Sequence, residues 1–186
     1  MKFYKVFLLS LFLGVLPQLN AQYQVTPTEG YSPQIGMMVN MLEDIKNRIS
    51  EMTRNLDQSQ TDYLFDKKAN SIGAIIMHII AIEDYTRVET LEARQWDEEE
   101  AIFWSSASDL GGDTPKSLQG KPIQHYLDLW DEVRAKTLEG LKQKDDTWFA
   151  SDIDEGMNYH WAWFHVMEHA ASHMGQISLV KNRMPK

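Results

Sequence analysis

Cysteine is absent from this chain of 186 residues. With it go disulfides, thiolate metal ligands, a cysteine nucleophile and the lipidated cysteine that anchors an exported lipoprotein. Also missing are an internal repeat, a low-complexity tract and a convincing run of alternating apolar and polar residues, so nothing marks a solenoid, a linker or a sheet. Basic clusters are missing too. The 18 Lys and Arg are scattered among 27 Asp and Glu, for a net charge of −9. A surface of that sign repels a phosphate backbone, which argues against nucleic acid as a partner.

What is present is bulk. The composition is 43% hydrophobic, with ten Met, six Trp, seven Tyr and seven Phe. That suits one domain of ordinary size, large enough to bury a core without disulfides or a structural metal. A metal ion in such a chain is functional rather than a folding staple.

The first 21 residues read as a secretory signal peptide. Met1 to Lys5 is a short basic region, Val6 to Leu16 is an apolar run broken only by Ser10 and Gly14, and Leu19-Asn20-Ala21 precedes a cleavage site near Ala21. The run is shorter than the ~20 residues of a spanning helix, so no stable membrane span is expected after processing. The mature protein is expected in the periplasm or secreted. Removal of Lys2 and Lys5 makes it more acidic still.

Residues 22–33 carry two Pro and a Gly without any period and read as an extended lead-in. From Gln34 to about Asn55 the apolar positions Ile35, Met38, Met41 or Leu42, Ile45 and Ile49 recur at helical steps. Leu56 to Asp66 is a connection, with Tyr63, Leu64 and Phe65 as a packing contact. A second helix is expected from Ser71 to Ala93, capped by Asn70 or Ser71 and apolar over most of its circumference. Gln95 to Leu118, holding the turn Gly111 to Pro115, reads as a long loop or lid. A third helix follows over Lys121 to Lys142 with Pro122 in its first turn, then a polar connection over 143–157, then a fourth helix over Asn158 to Asn182. The expected fold is all-α, an antiparallel four-helix bundle with a long connection between helices 2 and 3.

Four of the six histidines lie between His160 and His173. His165, His169 and His173 are spaced i, i+4, i+8, which stacks three imidazoles on one helix face, and Gln176 extends the stripe. Four-residue spacing lets two imidazoles reach one ion at about 2 Å. His78 sits within the apolar second helix, where a desolvated imidazole needs a partner. Two facing helices of a bundle can join such a residue to the His169 and His173 pair around one divalent ion. Taken alone, His78 is more often a core histidine bonded to a backbone carbonyl, and a pair four apart also arises by chance. The residue after His169 is Ala170, so the glutamate base of the zincin motif is absent. His165 is the candidate catalytic group, as acid, base or support to a ligand; the commoner role is a buried structural histidine. Gln176 either holds the His173 tautomer or bonds a neighbouring helix. Glu83, Tyr85, Trp96, Trp104, Trp161 and Trp163 are substrate contacts or ordinary surface and core.

The segment His165-Val-Met-Glu-His169-Ala-Ala-Ser-His173-Met-Gly-Gln176-Ile, led in by Trp161, Trp163 and Phe164, resembles the C-terminal helix of the DinB-like (DinB and YfiT-like) metalloenzymes. Ser71-Ile-Gly-Ala-Ile-Ile-Met-His78 resembles the second-helix segment of the same family. The resemblance implies one DinB-like bundle over residues 34–186, a site for zinc, nickel or a similar divalent ion made by His78, His169 and His173, and homodimers. Ser172 and Met174 depart from the commoner histidine and arginine at those positions, which puts substrate or dimer contacts in doubt more than the metal. The expected function is a metal-dependent hydrolase using an ion-bound water on an unidentified small molecule. The alternatives are a non-enzymatic metal-binding or interaction module, a bundle without metal, and a thiol S-transferase, against which export argues because small thiols are kept in the reducing cytoplasm.

Overall fold

The computed structural model describes residues 24–111 and 116–185. The signal peptide, its cleavage near Ala21 and positions 112–115 of the expected turn lie outside the described residues. In chain order the elements are α1 (Pro33–Thr53), α2 (Gln58–Thr61), α3 (Ile72–Leu91), α4 (Glu98–Trp104), a 3-10 turn (Lys116–Leu118), α5 (Ile123–Lys142), α6 (Asp146–Ala150), the strands β1 (Asp152–Asp154) and β2 (Met157–Asn158), and α7 (Tyr159–Asn182). The fold is all-α, with four long helices, α1, α3, α5 and α7. None of the described helices is long and apolar enough to cross a membrane.

Helix α3 is the centre. Ser71 caps it by accepting from the Ala74 amide, and nearly every residue from Ile72 to Val88 is buried. It packs against α5 on one side and α7 on the other, while α1 packs on α7. Each isoleucine so buried contributes about 1.5–3 kcal/mol. The contact with α5 is close enough to require Gly73, where a Cβ would stand 2.8 Å from the Tyr126 ring. A second apolar cluster joins Ile35, Met38, Leu42 of α1 to Phe149 of α6 and Trp163 and Val166 of α7.

One buried ionic network fixes the helices against each other. Glu83 of α3 accepts from Arg134 Nε at 2.6 Å and Nη2 at 2.7 Å, from Trp130 Nε1 at 2.9 Å and from Thr137 Oγ1 at 3.0 Å. Arg134 also donates to Glu43 of α1 at 2.8 Å. Burial pushes the Glu83 carboxyl up, but Arg134 and the donors around it outweigh burial and hold it below the usual carboxylate range. Glu83 is therefore a core ion-pair partner rather than a substrate contact.

The expectation for residues 95–118 needs correcting. The segment contains α4, started by a reciprocal cap in which Asp97 accepts from the Glu100 amide and Glu100 accepts from the Asp97 amide. Arg94 grips Glu100 at 2.6 Å, and Arg87 joins Asp84 at 2.8 Å and Glu92, so α4 is tied to the end of α3. Trp96 Nε1 donates to Asp84 at 3.0 Å, and Trp104 is buried. The polar connection over 143–157 likewise holds α6 and the β1–β2 hairpin. Asp146 of α6 serves as the missing cap of α1, accepting from Ser32 Oγ at 2.6 Å and the Gln34 amide at 3.0 Å.

Candidate metal centre

The histidine face of α7 is built locally. Asn158 caps the helix by accepting from the Trp161 amide at 2.8 Å, and Ala162, Trp163, Val166, Ala170 and Ile177 beside and between the histidines are buried. That leaves Trp161, His165, His169 and His173 in a row, ring over ring. Trp161 and His165 stack with centroids 5.4 Å apart, His165 and His169 lie 5.8 Å apart, and His169 and His173 lie 4.4 Å apart. Packing of α3 on α7 brings His78 into the row, 4.8 Å from His169 and 4.9 Å from His173 between ring centres.

Three Nε2 atoms converge. His169 Nε2 lies 3.1 Å from His78 Nε2 and 3.1 Å from His173 Nε2, and one nitrogen from each ring falls within 4.8 Å of the other two. Two imidazoles bound to one tetrahedral ion at 2.0–2.1 Å would stand about 3.3 Å apart, so the spacing suits a shared cation.

The far nitrogens decide the protonation. His78 Nδ1 lies 2.6 Å from the Ala107 carbonyl, and His173 Nδ1 lies 2.8 Å from Gln176 Oε1. Both partners only accept, so each Nδ1 carries the proton and each neutral ring presents its Nε2 lone pair inward. His169 Nε2 can donate to one of them at most. At least one of the two 3.1 Å contacts is then left without a shared proton, and a cation between the rings satisfies all three nitrogens where a hydrogen-bond network cannot. Burial, then the neighbouring His173 and His78, push His169 down to about 3, and burial also lowers His173 despite its bond to Gln176. Both rings are thus neutral and available as donors at neutral pH. The donor set fits a divalent ion.

His78 resolves the alternatives left open above, because the ring does both things. Its Nδ1 bonds a backbone carbonyl as a core histidine does, and its Nε2 faces the cluster. The carbonyl belongs to Ala107, in the turn after α4, and no sequence signal points to it because every residue has a carbonyl. Gln176 does hold the His173 ring. His165 is not the buried structural histidine expected: its side chain is 44% exposed, and Nδ1 bonds Glu168 Oε1 at 2.8 Å. The i, i+3 spacing of that pair is visible in the sequence and had no assigned role. Of the tryptophans, Trp163 and Trp104 are core, Trp96 packs edge-on against Tyr85 at 5.1 Å, and Trp161 is 52% exposed.

Residues 37–185 match a family model described as mycothiol-S-transferase. No curated protein matches the chain. Among solved structures, a conserved protein from Enterococcus faecalis superposes with a TM-score of 0.60 at 14% identity, covering 79% of this chain and 94% of that one. That likeness concerns the fold alone.

Proposed function

This chain belongs to the mycothiol S-transferase family, a DinB-like family, and from that premise we propose that it is a divalent-metal-dependent hydrolase whose ion, zinc or nickel, is held by His78, His169 and His173. The observation that carries the reading is the inward convergence of three Nε2 atoms, two of them fixed as lone-pair donors by Ala107 and Gln176. When bound, the ion supplies Lewis acidity, lowering the pKa of a coordinated nucleophile and polarising a carbonyl. The chain supplies the rest. Ala107 and Gln176 orient two donors, burial keeps His169 unprotonated, and His165, with Nδ1–H on the Glu168 carboxylate, presents Nε2 to accept or return a proton.

Export supports water as the nucleophile. Residues 1–21 have the pattern of a leader, and a chain outside the cytoplasm meets little of a small-thiol co-substrate. The second reading, transfer of a low-molecular-weight thiol, is favoured by the family description.

Elemental analysis of the purified protein beside His169→Ala tests the centre: about one ion per chain in the parent and none in the variant is expected. Metal content untouched by the substitution would remove the triad. A panel of esters and amides, run with and without chelator, tests the reaction, and a parallel panel of electrophiles with small thiols tests the second reading. Hydrolysis insensitive to chelation refutes the proposal.

A further inference from the structure

The turn of α7 that orients His173 also walls a cavity. It has a volume of about 240 Å³ and is lined by Phe65, Ala69, Asn70, Ile75, Gln176, Leu179 and Val180. Ile75 lies one turn before His78 on α3, and Gln176 is the residue bonded to His173, so the cavity and the histidine cluster share adjacent turns of the same two helices. None of the seven is ionisable. Five are purely apolar, and one of these, Leu179, is 46% exposed. The polar lining consists of two amides. Gln176 spends its Oε1 on His173, while its Nε2 has no partner among the described residues and can donate to a ligand.

A drug-sized ligand occupies roughly 300–1,000 Å³, so this cavity suits one fragment rather than a whole molecule. Its lining rejects charge and accepts a neutral apolar group that carries an acceptor within reach of Gln176. Resting on the hydrolase reading of the metal centre, we propose that the cavity is the acyl subsite: it takes the short alkyl chain or single ring of a neutral ester or amide whose carbonyl faces the three histidines. Hydrolysis of such a substrate breaks the carbonyl carbon's bond to oxygen or nitrogen; water gives its hydroxyl to the acyl group and its proton to the leaving group.

Hydroxamates test this, because they chelate a metal and carry a tail of chosen length. Binding of acetohydroxamate and hexanohydroxamate to the zinc-loaded protein is measured by calorimetry. Each methylene withdrawn from water is worth about fourfold in affinity, so the hexanoyl tail is expected to bind at least tenfold tighter. In Leu179→Asp that gain falls below threefold, and in Leu179→Met it persists. Equal affinities of the two probes, an undiminished gain in Leu179→Asp, or a gain lost in Trp161→Ala instead would overturn the subsite while leaving the metal centre standing. A protein that takes up neither zinc nor nickel overturns the centre and the subsite with it.

Discussion

Replacing Gln176 probes the centre without touching a ligand. In Gln176→Leu the side chain keeps its bulk, but the 2.8 Å bond to His173 Nδ1 is lost. The imidazole is then free to rotate and to place its proton on Nε2, which removes it as a donor until it switches back. Loss of such an orienting acceptor weakens metal binding by about 10-fold to 100-fold. Gln176 is exposed, so water replaces part of the bond and the lower figure applies: about tenfold, or ~1.4 kcal/mol. Gln176→Glu substitutes a charged acceptor, a stronger partner for the same N–H, and is expected to match or exceed the parent. The assay is competition for zinc against a chromophoric chelator at neutral pH. As a control, the unfolding free energy of the metal-free protein from urea titration should change by less than about 0.5 kcal/mol at so exposed a position. Affinities within twofold for Gln176→Leu and the parent, or equal losses in the Leu and Glu variants, would refute the assignment of Gln176 as the group that sets the His173 tautomer.

Acid should weaken the metal-free fold through the same cluster. His169 is held at about 3 against an ordinary 6.5, so the unfolded chain takes up the proton first; stability is unaffected above about pH 6.5 and falls progressively from there toward pH 3. Urea titrations across that range check it, and a His169→Ala variant with an equally steep decline would show that other groups carry the effect. Glu83→Gln is expected to cost about 3 kcal/mol, the low end for breaking a buried pair, because Glu43 remains on Arg134. A loss under about 1 kcal/mol in urea would mean that the network around Glu83 is not a main tie between α3 and α5.

The four long helices were legible because apolar residues recur through them at helical spacing and punctuating residues mark their starts. Ser71 caps α3 as expected, Asn158, read as the first residue of the last helix, caps α7, and Pro122 stands just outside α5 rather than within its first turn. The short elements were not legible by periodicity. A helix of seven residues such as α4 makes barely two turns, and its run of acidic residues looks like a solvated loop; the Asp97 and Glu100 pair was the one available sign, a reciprocal cap at the right spacing. The histidine cluster was legible because two members share one helix face and the third is a polar residue stranded in an apolar one. Glu83 was not, since its partner Arg134 lies 51 residues away and the pairing depends on how α3 and α5 are rotated about their axes.

The difference between α7 and α3 explains why the segment after α4 belongs to the centre. On α7 each outer imidazole finds an acceptor three residues on, His165 at Glu168 and His173 at Gln176, because the helix has a solvent-facing side that tolerates polar residues. Helix α3 has no such side near His78. The positions one turn away are Ala74, Ile75, Ala81 and Ile82, and the helix carbonyls are spent on its own hydrogen bonds. The acceptor for His78 Nδ1 must come from outside the helices, and the Ala107 carbonyl at 2.6 Å provides it. The turn after α4 is therefore not a cover laid over a finished site. It sets the tautomer of one of the three donors, so an ion that binds only the correctly oriented ring must also favour the docked turn, and by reciprocity any partner that displaces the turn must weaken the ion.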